Sequence, residues 1–321
     1  MTRILAGDIG GTKTLLQLVD FEGDGRAVAL ETRYESGAYV TFDAMLRDFV
    51  SHTDAQTIDA ACFAVAGPVI GNKAHVTNLQ WTMVANDLAR DFAIQRVSLI
   101  NDFYAVALGV PLLTSADLLS LNAGTRVEHA PIAILGAGTG LGEAALVFDG
   151  AKWNVVPSEG GHADFAPQDE EQAALFSQLH AKLGHVSWER VLSGQGLVAI
   201  HNFLSGVDRE YDEKIPMEIA AATDAGDVTA QHTFEIFVDV YGAEAGNMAL
   251  RLLSRGGVFL AGGVAAKNTR HFTNGKFVSA FMRKGRFASL LETIPVDVIV
   301  NPAVGLIGAV EMARRGLRTE D

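Results

Sequence analysis

Short apolar runs broken by clustered glycines set the rhythm of this chain. Ile4-Leu5-Ala6 leads into Gly7-Asp8-Ile9-Gly10-Gly11-Thr12-Lys13-Thr14, and Leu15-Leu16-Gln17-Leu18-Val19 follows. Much later Pro131-Ile132-Ala133-Ile134-Leu135 leads into Gly136-Ala137-Gly138-Thr139-Gly140-Leu141-Gly142, with Ala144-Ala145-Leu146-Val147-Phe148 beyond. Apolar runs of this length around turn residues predict strand, tight turn, strand in both places. After a turn at 21–25 another strand is expected through Val28-Ala29-Leu30. The period then changes: Phe42, Met45, Leu46, Phe49 and Val50 recur at helical spacing behind Thr41, a good N-cap. Residues 60–65 read as a buried strand closed by Ala66-Gly67-Pro68, and 71–81 as a hairpin anchored by Trp81. A helix over about 86–92 and a short strand Val97-Ser98-Leu99-Ile100 lead directly into Asn101-Asp102-Phe103.

The second half repeats the alternation. A helix is predicted over 168–183, its start made acidic by Asp169, Glu170 and Glu171 in keeping with the helix dipole. Ser187 reads as an N-cap with Glu189 in the first turn behind it. Phe234, Phe237, Val238, Tyr241, Ala245, Met248 and Leu252 mark a long amphipathic helix ended by Arg255-Gly256-Gly257. Strands follow at 258–261 and 295–300, and a last helix carries Val304, Ile307 and Val310. Strands alternating with helices predict an α/β protein.

The glycine turns carry the first chemical signal. Glycine admits positive φ and close approach to the main chain, and successive bare N–H groups form a concavity suited to phosphate oxygens. Either turn alone is equally well explained as an ordinary hairpin; two in one chain suggest a duplicated fold gripping one polyphosphate. A P-loop requires glycine immediately before Lys-Ser/Thr, where Thr12 stands, and the dinucleotide fingerprint requires glycine where Leu141 stands. At the end of a strand, the carboxylate of Asp102 is well placed for chemistry, although Asn101 or Asp102 would serve equally as a helix cap. The loop Glu159-Gly160-Gly161-His162 converges polar groups but falls short of a metal-ligand set; it suits a polar small molecule or is a solvated loop. On the residues alone Glu189 is a helix-start residue, and Gly262-Gly263 is either a turn or a nucleotide contact.

Composition narrows the choice. With 321 residues, 49% of them hydrophobic, the chain has material for two domains and a sizeable core. A formal net charge of −13 opposes attraction to nucleic acid or an anionic membrane, so a bound phosphate must rely on backbone N–H groups and a metal ion. The single cysteine, Cys62, excludes an internal disulfide and reads as a buried, inert thiol. No leader pattern and no bilayer-length apolar stretch is seen, which points to the cytosol.

Taken in order, Gly7 to Thr12, Val76 to Trp81, Ile100-Asn101-Asp102-Phe103, Gly136 to Gly142, Glu159 to His162, Ser187 to Gly194 and Leu260 to Gly263 resemble the bacterial glucokinase family, of the enterobacterial type, within the actin-like ATPase and hexokinase superfamily. Each piece is weak; the ordered set spans almost the whole chain. The resemblance implies a two-domain actin-like ATPase (ribonuclease H-like) fold, with duplicated βββαβα units around an ATP and sugar cleft. Residues 1–110 with 301–321 would form the small α/β domain and 111–300 the large one. It implies ATP-dependent phosphorylation of glucose at the 6-hydroxyl, at the entry to glycolysis, with Asp102 as the general base. Asn78, Asn101, Asp102, Glu159, His162 and Glu189 would hold the sugar. Gly7, Asp8, Gly10, Gly11, Thr12, Gly136, Gly138, Thr139 and Gly140 would hold the ATP phosphates, with Asp8 near Mg2+ and Gly262 and Gly263 near adenosine. A cytoplasmic homodimer, acting on glucose and ATP with no nucleic-acid or membrane partner, completes the expectation.

Two positions depart from the pattern: Lys13 stands where the family carries asparagine, and Ala66-Gly67-Pro68 is more similar to the related repressor–kinase family. One cysteine cannot supply that family's zinc motif. A kinase for mannose, fructose or an N-acetylated hexosamine, an actin-like ATPase module with no sugar, and a sugar-sensing regulator remain as alternatives; the acidic charge opposes the last.

Overall fold

β1 (Thr2–Ile9), β2 (Lys13–Glu22) and β3 (Gly25–Glu35) form an antiparallel meander, after which the chain enters α1 (Phe42–Ser51). Thr41 caps α1 by accepting the Ala44 N–H at 3.2 Å, and Phe42, Met45, Leu46 and Phe49 are its buried face. Burying each such side chain contributes roughly 1.5–3 kcal/mol. β4 (Ala60–Val65) then lies parallel to β1 and is buried throughout. A three-stranded sheet of β5 (Val69–Ile70), β6 (Lys73–Val76) and β7 (Trp81–Val84) follows, with Trp81 buried as its anchor. α2 (Ala85–Asp91), β8 (Arg96–Asn101) and α3 (Asp102–Gly109) complete this part. These coordinates are a computed structural model, which describes residues 1–23, 25–53, 57–76 and 79–318.

The second part begins with β9 (Leu118–Asn122) and a second meander, β10 (Ile132–Ala137), β11 (Leu141–Phe148) and β12 (Trp153–Ser158). Then come α4 (Glu170–Leu183), α5 (Gly194–Ser205), α6 (Ile215–Asp224) and α7 (Val228–Leu252). β13 (Val258–Ala261) leads to the short helices α8 (Gly263–Lys267), α9 (Thr269–Phe272), α10 (Lys276–Met282) and α11 (Ala288–Glu292), and to β14 (Val296–Ile299). α12 (Val304–Arg318) is the last element among the described residues.

The chain divides into one compact unit of Met1–Leu113 with Pro302–Asp321 and another of Thr114–Asn301. The first holds a five-stranded sheet ordered β3-β2-β1-β4-β8, and the second a six-stranded sheet ordered β12-β11-β10-β13-β14-β9. Setting β9 aside, the orders match strand for strand. Each has an antiparallel meander on one side and parallel strands on the other, which is the duplication the glycine turns announced.

Parity within the first sheet decides its two cores. Leu5, Ile9, Phe63 and Val65 pack beneath α1, whereas Ile4, Ala6, Ala60, Cys62 and Ala64 pack against α12. Small residues dominate the second face, so α12 lies close to the sheet. Burial pushes the Cys62 thiol far above its usual range, leaving it the inert group expected.

Two readings need correction. Ser187 makes no cap bond: it precedes a single 3₁₀ turn, Trp188–Arg190, and the cap of the next helix is Ser193, whose Oγ accepts the Gly196 N–H at 3.1 Å. The last strand is shorter than expected, Val296–Ile299, although the Val300 N–H still continues the register with a bond to the Asp117 carbonyl at 2.8 Å. The long helix runs from Val228, capped by Asp227, and so takes in the positions expected of it. Helices α5 and α6 gave no legible period; glycines at both ends of the first α5 turn mask it, and Gly196 is required because a side chain there would strike the Val191 backbone.

Candidate active site

In the first unit, β1 parity sends Asp8 to the α12 face, facing Gly305 of that helix, while Gly7 turns the other way. A side chain at Gly7 would strike Leu16 and Phe63, so packing alone explains that glycine. The turn after β1 closes with the Gly10 N–H donating to the Lys13 carbonyl at 3.0 Å. Ser36, just after β3, braces it: its N–H donates to the Thr12 carbonyl at 2.9 Å and its Oγ to the Gly10 carbonyl at 2.9 Å. The N–H groups of Gly11 and Thr12 have no partner among the described residues. Lys13 points to solvent, with its Nζ 3.9 Å from Glu35.

At the end of β8, Asn101 caps α3, its Oδ1 accepting the Phe103 and Tyr104 N–H groups at 2.9 and 3.1 Å. Its Nδ2 donates to the Gly67 carbonyl at 3.2 Å and to Asp102 Oδ1 at 2.9 Å. All four hydrogen bonds open to an asparagine side chain are therefore made. Gly67 has φ of 143°, so the departure Ala66-Gly67-Pro68 has a backbone reason: it presents that carbonyl to Asn101. Asp102 Oδ1 also accepts the Phe103 N–H at 2.9 Å, while Oδ2 has no partner among the described residues. Burial holds the Asp102 carboxyl above its ordinary pKa. Asp8 is pushed up to about 6, by burial first and by the charge of Asp102 second.

In the second unit, the turn Gly138-Thr139-Gly140 closes with the Gly138 N–H on the Gly140 carbonyl at 2.8 Å, and the Thr139 and Gly140 N–H groups have no partner among the described residues. It is clamped from behind. The Gly194 N–H, at the start of α5, donates to the Gly138 carbonyl at 2.8 Å, Glu189 Oε2 accepts the Leu141 N–H at 2.9 Å, and the Tyr211 hydroxyl bonds Thr139. Glu189 is delivered there by its neighbour Trp188, which is fully buried against Phe165. His162 lies between two carboxylates, with Nε2 3.8 Å from Glu159 Oε2 and Nδ1 3.9 Å from Glu189 Oε1. The structure thus brings Glu159, His162 and Glu189 together beside the glycine turn.

Gly262 has φ of 83°, and a side chain there would strike the Ala137 backbone; Gly263 stands open at the start of α8. The Ala137 N–H donates to the Tyr241 hydroxyl at 3.1 Å, and that hydroxyl lies 3.4 Å from the Ala261 carbonyl, tying the ends of β10 and β13 together. The expected sugar contact Asn78 lies outside the described residues.

Sequence reasoning passed over Ser36, Tyr211, Tyr241 and Glu143. Only Glu143 had a local signal, as a lone acid inside an apolar run. It is buried on β11 beneath Gly160, its Oε1 has no hydrogen-bond partner, and burial followed by the charge of Glu244 pushes its pKa to about 7. Because the folded value exceeds the unfolded one, the folded state holds the extra proton between the two, and wild-type stability falls as pH rises from about 5 to about 8. Glu143→Gln removes that titration. We expect its thermal midpoint to gain on wild type toward pH 8, by roughly 2–3 kcal/mol of stability at most. A gap that does not change between the two pH values would contradict the burial argument.

The sequence profile of the glucokinase family matches residues 5–316. The glucokinase of Trichormus variabilis is 44% identical over 98% of this chain and 100% of its own length. That of Photorhabdus laumondii is 35% identical over 99% of this chain and 98% of its own. Among solved structures, the glucokinase of an Antarctic psychrotroph is 28% identical and superposes with a TM-score of 0.88, covering 98% of this chain and 99% of that one. The fold is that of the actin-like ATPases and sugar kinases.

Proposed function

This chain belongs to the glucokinase family, and from that premise we propose that it transfers the γ-phosphoryl group of ATP to the 6-hydroxyl of glucose. The observation that carries the chemistry is Asp102, with one carboxylate oxygen fastened by Asn101 and Phe103 and the other unpartnered. That second oxygen accepts the proton of the 6-hydroxyl as the new bond forms. Burial raises its pKa, which makes it a stronger base than a free aspartate.

Phosphoryl transfer asks the protein mainly for positioning and charge stabilisation. The unpartnered N–H groups of Gly11, Thr12, Thr139 and Gly140 are suited to phosphate oxygens, Asp8 supplies a hard oxygen donor, and Gly262-Gly263 takes the adenosine. Among the described residues no group of three or more His, Cys, Asp or Glu is arranged to hold a metal. That fits Mg2+, which is commonly bound by one or two carboxylates with water and substrate phosphates completing the octahedron. When bound, it screens the phosphate charge from the incoming hydroxyl. Glu159, His162 and Glu189 hold the other sugar hydroxyls, and Asn101, with no donor or acceptor to spare, acts by orienting Asp102. A site built this way rejects sugars lacking a hydroxyl, because its own polar groups are left unpaired.

We extend the reading to a cytoplasmic homodimer, as the family resemblance implies, a state that sedimentation of the purified chain tests. Among the described residues no helix is long and apolar enough to cross a membrane. The reaction itself is tested by ADP release from Mg-ATP with glucose, mannose, fructose, N-acetylglucosamine or no sugar. Strong stimulation by glucose, abolished by EDTA, is the expected result. Stimulation by a different hexose moves the specificity, and a slow sugar-independent rate favours an ATPase module.

A further inference from the structure

Glu189 is engaged on two sides. Its Oε2 accepts the Leu141 N–H at 2.9 Å, immediately after the glycine turn, and its Oε1 stands 3.9 Å from His162. Gly140 is required by this arrangement, since a side chain there would strike Oε2. The surrounding parts are locked to the same point. Ser193 Oγ donates to the Glu189 carbonyl at 2.8 Å, and a side chain at Gly161, in the Glu159–His162 loop, would strike the Leu141 carbonyl. Glu159 is 92% exposed at its side chain against 25% for Glu189, so only one of the two carboxylates is held by the fold.

Leu141 is buried, and removing Glu189 takes away the acceptor that its N–H has in the fold. An unsatisfied buried donor is costly, and here the strain falls on the turn proposed to hold phosphate. We propose that Glu189 is a positioning residue for the nucleotide turn as well as a sugar acceptor, so that a hexose on its free oxygen steadies the turn and strengthens nucleotide binding. By linkage the nucleotide strengthens hexose binding by the same factor. The proposal rests on the assignment of Gly138-Thr139-Gly140 to the ATP phosphates.

The test is binding of Mg-ADP to the intact protein without sugar. Glu189→Ala is expected to weaken it about 5- to 50-fold, since a lost buried hydrogen bond spans that range. Glu189→Gln keeps an acceptor for the Leu141 N–H; it is expected to restore Mg-ADP affinity to within about twofold while glucose affinity stays reduced. A residue that touches only sugar would leave sugar-free nucleotide binding unchanged in both, and that outcome overturns the proposal. Gly138→Val separates this from a failure of the underlying assignment: its added Cβ meets nothing within 4 Å, so the fold accommodates it, while its bulk on the turn is expected to obstruct phosphate. If Gly138→Val binds Mg-ADP normally, the phosphate assignment is wrong; if it fails to bind while Glu189→Ala binds normally, only the coupling is wrong. Should Glu189→Ala not fold, amide exchange in the wild type decides: glucose alone must slow exchange across residues 138–142, and unchanged exchange refutes the coupling.

Discussion

Asp102→Ala is expected to lower kcat by about 10²- to 10⁴-fold, the typical worth of a positioned general base, with little change in glucose affinity. The local structure survives because Asn101, not Asp102, caps α3: its Oδ1 takes both the Phe103 and Tyr104 N–H groups. Asp102→Asn goes further in preserving shape, retaining an oxygen for the Phe103 N–H while lacking a basic lone pair. Both variants should bind glucose and turn it over slowly. A kcat within tenfold of wild type for either one would remove Asp102 from the chemical step. The pH dependence has a definite sign. The base must be ionised, so kcat falls as pH drops through its raised pKa, and the fall sets in at a higher pH than the ordinary pKa of a free aspartate would give.

Gly308→Ala is expected to destabilise the first unit by about 1–3 kcal/mol or more, the usual cost of overpacking. Gly308 lies where α12 crosses α3. A side chain there would strike the Ala105 carbonyl and approach the Gly109 N–H, and Gly109 in turn has no room for a side chain against Val304. Backbone meets backbone at this crossing, so no flexible side-chain tip can yield. Because α3 begins with Asp102 and α12 brings Gly305 to Asp8, the helices cannot separate without disturbing both carboxylates. The thermal midpoint and kcat should fall together. Gly316→Ala, on the same helix with nothing within 4 Å of the added atom, is the control and should be neutral or slightly stabilising. Equal stability of the two variants would show that the crossing is not tight.

Much of the candidate site was legible in the sequence. The two glycine turns, the Asn101-Asp102 junction and the Glu159–His162 loop are contiguous, and each announces itself through a strand end or a glycine cluster. Glu189 was not: on its own it is a helix-start residue, and its reason for existing is the N–H of Leu141, 48 residues earlier in the chain. Ser36 and Tyr241 are the same kind of case, a hydroxyl bonded to backbone groups of a distant turn or strand end. Glu143 left a local trace, yet its shifted pKa depends on burial first and then on Glu244, which lies a further 101 residues along.

From its own order of residues, the chain determined that two strand–turn–strand units recur, that helices and strands alternate, and which glycine turns and strand ends are the candidates for chemistry. These are matters of local period and backbone freedom, which neighbouring residues settle among themselves. Tertiary structure alone decided which face Asp8 joins, that Gly7, Gly109 and Gly308 are packing glycines, that Asn101 has no bond to spare, and that Glu189 braces the second turn. Those outcomes depend on close approach between segments far apart in sequence. Only in the folded chain do burial and the demand that each buried donor find an acceptor act on them.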